Sequence, residues 1–435
     1  MLKSKFHLVK KVQGKLSSFL YLTNKQLSKP EKRCYKELTS SILTTGHVHL
    51  RKLAAKVQDN MSKKNICKRF ERHLAKRDFG ETIDLNCLNK QCGKIKHDTI
   101  ICVDASDIVK KEAKKMEGIK RVRDGSKNCQ SPGYDVLDIV AFDRSKQRII
   151  PLSSDLFSTL MDYDSMKDKV YDRINDIQYF TNNKGIYTFD RGYDDRKFIH
   201  YLIQNEVRFV MRSMLTRLFY VQLEGDEEIK SYKFDDILRQ VTIRQLSENS
   251  RFKGCVVDCF ISIDPHPRKH PNLIPVKLVI SRYIESKKAN SEEGGYFAFI
   301  CNLENDSLSE QDFVSKVMRI YRLRWKIEEV HRHVKQAYRW EDICLKNYER
   351  LVTMNKVLWA AICFLYSLDS LIDEIKIIFQ HKFSDRSYRK RKGFFFIYYR
   401  ISDVIKELFD VVERKWIYKY GGRHQSRQQM VIKFE

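Results

Sequence analysis

This sequence lacks two features that would point away from the reducing interior of a cell: a disulfide framework and a long apolar run. Its 11 cysteines are scattered and include no Cys-x-x-Cys pair, which predicts reduced thiols and a cytoplasmic location. Lys3 and Lys5 precede no apolar stretch, so no signal peptide is expected. The most apolar segment, Val357–Leu368, is about a dozen residues long, whereas a bilayer needs about 20. We therefore expect a buried helix there and no membrane contact.

Acidic residues are also in deficit. The chain has 82 Lys and Arg against 56 Asp and Glu, a formal net charge of +26, which favours a partner rich in phosphates such as DNA. Hydrophobic residues make up 42% of the 435 positions, so the chain can form a packed core and is not a disordered basic protein. The length predicts roughly two to four domains.

The first 77 residues carry much of the positive charge, with 20 Lys and Arg against four acidic residues. Apolar spacing predicts three helices here, at Pro30–Leu43, near Leu50, and after a capping Ser62. The third helix would turn these basic side chains to solvent: Lys63, Lys64, Lys68 and Arg69. This arrangement favours a helical DNA-binding unit, such as a helix-turn-helix variant. A merely solvated basic surface is the alternative.

Two apolar runs of strand length end in an aspartate. Thr99–Val103 leads into Asp104, and Gly185–Phe189 leads into Asp190. A carboxylate at the carboxyl end of a buried parallel strand opens into the crevice where α/β folds bind ligands. Both aspartates are therefore candidate metal ligands.

A third acidic residue lies in a segment with helical spacing. Tyr321, Arg324, Glu328 and Lys335 are three, four and seven positions apart. On a helix their side chains fall within roughly 60° of one another. One helix face would then carry a phenol, two cations and a carboxylate. With the two aspartates, Glu328 would hold two magnesium ions roughly 4 Å apart, as enzymes that displace phosphoryl groups do.

These residues resemble the signature of a known family, the DDE transposases of the bacterial IS-four type. Tyr321, Arg324, Glu328 and Lys335 match its Tyr-Arg-Glu-Lys signature, and Trp325 resembles the residue that follows the signature arginine. Asp104 resembles the family's first aspartate motif, and Asp190 with Arg191 resembles its second. The resemblance covers roughly residues 100–335.

The resemblance implies a cut-and-paste DNA transposase with two Mg²⁺ or Mn²⁺ ions per site, held by Asp104, Asp190 and Glu328. It implies that Tyr321, Arg324 and Lys335 hold phosphates of the DNA strand near the cleavage point. It also implies a homodimer on the ends of an insertion sequence, in the bacterial cytoplasm and associated with the nucleoid.

The expected fold class is α/β, with a ribonuclease-H-like catalytic core interrupted by a β-rich insertion. The expected domains are a basic helical DNA-binding domain, residues 1–80; the core, 81–213 and 304–375; the insertion, 214–303; and a mainly helical carboxyl-terminal region for dimerisation or DNA contact, 376–435. The expected core elements after the first strand are strands at Tyr134–Phe142 and Arg148–Leu152, a helix at Asp164–Phe180, the Asp190 strand, a helix at Asp195–Gln204 and a strand at Arg208–Arg212. The expected insertion strands are Phe219–Leu223, Val241–Arg244, Cys255–Ile263, Val276–Tyr283 and Tyr296–Asn302.

The insertion departs from the family in one respect. Relatives free the element through a DNA hairpin, with a flipped base stacked on an insertion-domain tryptophan. No tryptophan lies between Leu215 and Leu303 here, so the hairpin route stays open, and Phe297 or Tyr296 could supply the ring. Two basic segments are further candidates for DNA contact: His266–Pro271, and Arg386–Lys392 beside the aromatic run Phe394–Tyr399.

Several alternatives remain on sequence grounds. Asp107 and Asp194 compete with the two aspartates, although Asp194 could instead cap the following helix. Glu328 and His331 have the spacing of a di-iron helical bundle, but a second such pair is missing. A satisfied helix residue is the simpler interpretation of His331. At the level of function, the alternatives are a catalytically silent DNA-binding protein and a nuclease of the same fold without strand transfer.

Overall fold

A computed structural model describes most of the chain. The described residues are 2–113, 115–124, 129–161, 165–224, 226–247, 250–264, 271–283, 295–305, 307–383 and 398–409. The segment Arg386–Lys392 lies outside them, as do most of His266–Pro271 and Phe394–Tyr399.

The helices have the following bounds: α1 Leu2–Thr23, α2 Lys29–Thr45, α3 Leu50–Ala54, α4 Lys63–Leu74, α5 Arg77–Cys92, α6 Met166–Thr181, α7 Arg196–Gln204, α8 Phe234–Gln240, α9 Glu310–Arg322, α10 Lys326–Ala337, α11 Tyr348–Tyr366, α12 Ile372–Ile378 and α13 Gln380–Phe383. Residues 398–409 are also helical. The strands have these bounds: β1 Ile100–Val109, β2 Lys120–Asp124, β3 Cys129–Asp143, β4 Arg148–Phe157, β5 Ile186–Phe189, β6 Phe209–Arg212, β7 Leu218–Val221, β8 Lys230–Lys233, β9 Arg244–Gln245, β10 Phe252–Ser262, β11 Leu273–Tyr283 and β12 Tyr296–Cys301.

The amino-terminal region is helical, and its α4 forms as the sequence predicts. The Ser62 hydroxyl accepts a hydrogen bond from the backbone N–H of Asn65, which caps the helix. Ile66, Phe70 and Leu74 are buried at helical spacing. The region also contains α1 and α5, which the sequence analysis did not predict.

All twelve strands belong to one mixed sheet. Its order is β2-β3-β1-β5-β6-β12-β11-β10-β7-β8, with β4 also paired to β3 and β9 to β10. β1 runs antiparallel to β3 and parallel to β5, and β5 runs parallel to β6. The parallel pairing of β1 with β5 ends at Cys102 and Thr188. Asp190 follows β5 directly, whereas β1 continues to Val109 as the partner of β3.

The strands of residues 218–301 extend this same sheet, because β12 pairs antiparallel with β6. Four of the five predicted strands of this segment form. The prediction at Val241–Arg244 was wrong for most of its length, since only Arg244 enters the two-residue β9. Just before it lies α8. Its first turn carries Asp235 and Asp236, and acidic side chains stabilise the start of a helix.

The predicted buried helix forms as part of α11, which packs on α5 and β4. Its side chains from Val357 to Tyr366 are all buried. By length and composition alone, the helical run Tyr348–Ile378 could cross a membrane, but 83% of its most apolar window is buried inside the protein. That burial is the behaviour of a core helix.

Candidate active site

A row of acidic residues crosses the sheet just beyond the paired parts of the parallel strands β1 and β5. Asp104 lies within β1, not at its end as the sequence had predicted, because β1 continues to Val109. Asp138 in β3 is the Cα partner of Asp104 in β1. The β1–β5 register pairs Cys102 with Thr188, so two residues further on it brings Asp104 level with Asp190. Paired residues project from the same face of a sheet. Asp138 in β3, Asp104 in β1 and Asp190 directly after β5 therefore share one face.

The segment from α9 to α10 crosses this face and brings in the glutamate. It is not one helix, as the sequence spacing predicted, because a 3₁₀ turn, Leu323–Trp325, separates the two α-helices. Arg324 in this turn donates to two carboxylates at once. Its Nη1 lies 3.0 Å from Asp104 Oδ2, and its Nη2 lies 2.9 Å from Glu328 Oε1. Arg324 thus joins two acidic residues that are more than 200 positions apart.

The charges of these groups shift one another. Burial raises the pKa of Asp104, and nearby Asp190 and Glu328 raise it further, whereas His331 and Arg324 oppose the rise. Burial disfavours the charged form of Arg324, but Asp104 and other neighbours outweigh it and raise its pKa. The site therefore concentrates negative charge that a cation stabilises.

An aromatic and cationic cluster borders Asp190 on its other side. The Tyr321 ring packs on Phe299 with centroids 4.9 Å apart, and Phe299 stacks parallel to Phe297 at 6.5 Å. The Arg212 guanidinium lies 5.2 Å from the centre of the Phe297 ring. Burial raises the pKa of Tyr321, and the charges of Arg324 and Arg212 oppose the rise. Phe297, the predicted substitute stacking ring, therefore lies in the same cluster as the signature tyrosine.

A histidine–aspartate pair lies beside Asp104, on the adjacent strand β3 and the helix α10. Asp138 is fully buried, and its Oδ2 lies 2.9 Å from Nε2 of His331. The two groups are in contact without the alignment of a hydrogen bond. His331 is thus not a freely solvated helix residue. It faces the sheet, one helical turn beyond Glu328.

The alternative aspartates have other environments. Asp194 is buried and pairs with Arg217 at 2.5 Å. It also accepts hydrogen bonds from Ser213 and from the backbone of residue 214, so it holds the end of β6. It does not cap the following helix; Asp195 does, by accepting from the backbone N–H of Phe198. Asp107 is partly exposed in β1.

The donor chemistry of the site suits a hard divalent ion. Carboxylate oxygens are the preferred ligands of Mg²⁺ and Mn²⁺, and Asp104, Asp190 and Glu328 supply them on one face. As the side chains stand, no group of three His, Cys, Asp or Glu within the described residues is close enough to hold an ion. Arg324 lies between Asp104 and Glu328 and neutralises both of them. A divalent ion would take over this neutralising role.

Two neighbouring cavities connect the site with the amino-terminal helices. The first has a volume of about 1120 Å³, is bounded by Glu328, and is lined by lysines that include Lys115, Lys335 and Lys346. The second has a volume of about 790 Å³ and lies between α3 and α4. Cys344 lines both. We call the two together the basic groove.

The predicted DNA-contacting residues differ in how the structure places them. Lys63, Lys64 and Lys68 are exposed on α4 and line the basic groove. Arg69 instead turns back, and its guanidinium pairs with Glu37 at 2.5 Å and with Asp59 at 2.6 Å. The prediction that it faces solvent was wrong, because two carboxylates compete for it and leave its side chain 13% exposed.

The remaining predicted contacts surround the carboxylates. Trp325 is 47% exposed, and the Lys326 ammonium lies 4.1 Å from its ring centre. Lys335 Nζ lies 3.9 Å from a Glu341 oxygen. Arg191, directly after Asp190, is exposed.

Asp138 and Arg212 were not among the residues predicted from the sequence, and His331 was predicted to be a satisfied helix residue without a role in the site. Asp138 interrupts the apolar run Val136–Phe142, and this was a usable signal, because a buried acid needs a partner. The partner itself could not be deduced without the register between β1 and β3. Arg212 ends a predicted strand and carried no comparable signal.

Comparison with known proteins identifies a family. Residues 96–364 match the profile of the family described as the transposase DDE domain, and this range includes Asp104, Asp190 and Glu328. A search of curated proteins finds no match. Among solved structures, the chain is similar to the piggyBac transposase in a synaptic complex with hairpin DNA, at 11% identity and a TM-score of 0.44, over 97% of this chain and 83% of that one. Since the family profile spans more than half of the chain, this protein belongs to the transposase DDE domain family.

Proposed function

We propose that this protein is a cut-and-paste DNA transposase of the bacterial IS-four type. The observation that carries the proposal is the convergence of Asp104, Asp190 and Glu328, from two strands and a later helix, at one edge of the sheet. The Tyr-Arg-Glu-Lys residues lie on the segment that crosses this edge. Membership of the family supports the class of reaction. The Tyr-Arg-Glu-Lys residues support the assignment to the IS-four type.

In this proposal Asp104, Asp190 and Glu328 hold two Mg²⁺ or Mn²⁺ ions. When bound, the ions would activate the attacking oxygen and stabilise the leaving oxygen of a phosphodiester. Asp104 would be one of the ligands, and both Asp190 and Glu328 are near enough to raise its pKa. Its burial strengthens its electrostatic interaction with a cation.

The basic side chains around the carboxylates would hold the DNA. Arg324 has five N–H donors and uses two of its nitrogens on carboxylates, so further donors remain for a phosphate oxygen. Tyr321, on the side of Asp190, would donate its phenol to the same strand. Lys335 would contact the strand where it enters the basic groove.

The basic groove gives the flanking duplex a path. Its cations run from Lys115 and Lys346 near Glu328 to Lys63 and Lys64 on α4. A row of cations neutralises successive phosphates and releases counterions. One DNA backbone could therefore contact α4 and reach the carboxylates at the same time.

The sheet supports the proposed domain layout. Strands β4-β3-β1-β5-β6, with α6 and α7 between them in sequence, have the order expected of a ribonuclease-H-like core. The strands of residues 218–301 would be its insertion. We propose the boundaries given above, a homodimer on paired DNA ends, and a place in the bacterial cytoplasm at the nucleoid.

The experiment uses DNA fragments taken from either side of the coding sequence, incubated with the full chain and Mg²⁺. The readouts are nicking at a 3′ end and joining to a plasmid. A Glu328→Gln variant should lose both activities. Glu329→Gln is the matched control, because Glu329 is the adjacent acid on α10 but is buried against Lys326 at 3.3 Å.

Each outcome assigns a function. Nicking and joining that are lost only in Glu328→Gln support the transposase. Nicking without joining identifies a nuclease of the same fold. Binding to the fragments without Mg²⁺-dependent nicking identifies a silent DNA-binding protein.

A further inference from the structure

A contact between His331 and the buried Asp138 connects the helix of Glu328 with the sheet that carries Asp104. Asp138 lies in β3 as the Cα partner of Asp104, and His331 lies in α10 three residues after Glu328. The contact of 2.9 Å between their side chains spans the gap between sheet and helix. Arg324 bridges Asp104 and Glu328 directly, whereas His331 and Asp138 join the helix and the sheet that carry them.

The pair would destabilise the fold if its role were purely structural. Asp138 is fully buried, and neither of its oxygens has a hydrogen-bond partner within the described residues. A buried carboxylate is destabilising unless an opposite charge or a donor faces it. Apolar residues of α10, including Ile327, Val330 and Val334, already pack that helix in the core. The helix therefore needs no polar contact for its packing alone.

The geometry points to a positioning role, and we propose that His331 and Asp138 set the distance between the carboxylates of Asp104 and Glu328. Their contact fixes the rotation of α10 about its axis over β1 and β3. Because Glu328 is one helical turn away, a small rotation would displace its carboxylate from Asp104. Groups that orient metal ligands typically contribute 10- to 100-fold to metal affinity. The inference rests on the proposed function, since it concerns the metal site of that function.

A second histidine on the same helix provides a matched control. His333 is fully buried, and its ring nitrogens lie 2.9 Å from the Ser402 hydroxyl and 3.2 Å from the Tyr366 hydroxyl. Burial lowers its pKa to about 3. Its partners belong to α11 and to the helix of residues 398–409, away from the row of carboxylates. Replacing it perturbs the same helix without touching Asp138.

The experiment measures Mn²⁺ affinity of the full chain without DNA, by electron paramagnetic resonance, and unfolding in urea for every variant. The double variant Asp138→Leu/His331→Leu replaces the pair with apolar residues, a change that is often neutral or stabilising for a buried charge pair. His331→Gln restores a nitrogen donor near the position of Nε2. His333→Gln is the control, and Glu328→Gln calibrates the loss of a ligand.

The proposal expects the double variant to bind Mn²⁺ at least about 10-fold more weakly while unfolding at the same or a higher urea concentration. The variants His331→Gln and His333→Gln should stay within about 3-fold of the wild type. The inference is overturned if the double variant binds Mn²⁺ like the wild type. It is also overturned if affinity falls in step with stability in every variant, including His333→Gln.

The calibrating variant separates this inference from the proposed function. If Glu328→Gln also keeps full Mn²⁺ affinity, the metal site itself is wrong. If Glu328→Gln loses affinity and the double variant does not, only the positioning role fails.

Discussion

The exposed lysines of α4 give the most quantitative prediction. Lys63, Lys64 and Lys68 line the outer part of the basic groove, and we expect each to neutralise one DNA phosphate. Each such contact contributes about 0.9 to the slope of log affinity against log salt concentration. Replacing all three lysines with alanine should therefore reduce the slope by about 2.7.

The magnitude is large enough to measure directly. Between 50 and 200 mM NaCl, three contacts correspond to a change of about 40-fold in affinity. The wild type should lose about 40-fold more affinity over this range than the triple variant does. Fluorescence anisotropy of a labelled duplex from the DNA beside the coding sequence provides the measurement.

A matched triple variant separates local contact from net charge. Arg144, Lys146 and Lys184 are exposed on turns and line neither cavity of the basic groove. Their replacement with alanine removes the same charge and should leave the slope within about 0.5 of the wild type. The reasoning is refuted if the α4 variant keeps the wild-type slope, or if both variants lose it equally.

Three predictions concern stability. Arg173→Met should lower the free energy of unfolding by about 3–5 kcal/mol in urea at pH 7, because it removes the guanidinium that pairs with two buried carboxylates, those of Asp84 and of Asp155 at 2.5 Å. Burial opposes the charged form of Asp155, but Arg173 outweighs it and lowers the pKa, so this stabilisation is lost as the pH falls below about 4. Glu31→Gln should lower the free energy of unfolding by about 1 kcal/mol at pH 7 in the same assay. Because the hydrogen bond from Lys76 lowers the Glu31 pKa to about 2, this difference in stability disappears as the pH falls from about 4.5 towards 2. Gly46→Ala should lower the melting temperature, at a cost of about 1 kcal/mol in the free energy of unfolding, because φ at this position is 64°, in the left-handed region.

Other results would contradict these expectations. An Arg173→Met protein as stable at pH 7 as the wild type would show that the buried carboxylates do not need the guanidinium. If Glu31→Gln is still less stable than the wild type at pH 2, the charge of Glu31 is not the cause of the difference. An unchanged melting temperature for Gly46→Ala would mean that the turn after α2 relaxes at little cost.

The local pattern of the sequence predicted the elements that carry the site. Asp104 and Asp190 each follow an apolar run, which is a short-range signal for a buried strand. The predicted strand end is confirmed at Asp190, which follows β5, and was wrong at Asp104, because β1 continues to Val109. Capping by Ser62 and the burial of Phe70 are local in the same way, and α4 forms as predicted. Helical spacing placed Tyr321 and Glu328 together, although it could not show the 3₁₀ turn between them.

What the sequence could not predict depends on long-range pairing. The contact of Asp138 with His331 requires the β1–β3 register and the placement of α10 over it, which no local pattern contains. Arg69 was predicted on the exposed face of α4, but carboxylates from α2 and the loop after α3 draw it inward. The strand predicted at Val241–Arg244 failed because a short apolar run does not distinguish a strand from a loop that packs on its neighbours.

The measurement that tests the central claim most directly locates a bound metal on the chain itself. The protein is loaded with Fe²⁺ in place of Mg²⁺ and treated with ascorbate and peroxide, so that radicals formed at the ion cut the backbone nearby. Our account predicts cuts near Asp104, Asp190 and Glu328, which are distant in sequence, and their suppression by excess Mg²⁺. Cuts confined to other segments, or cuts at these three positions that Mg²⁺ does not suppress, would contradict it.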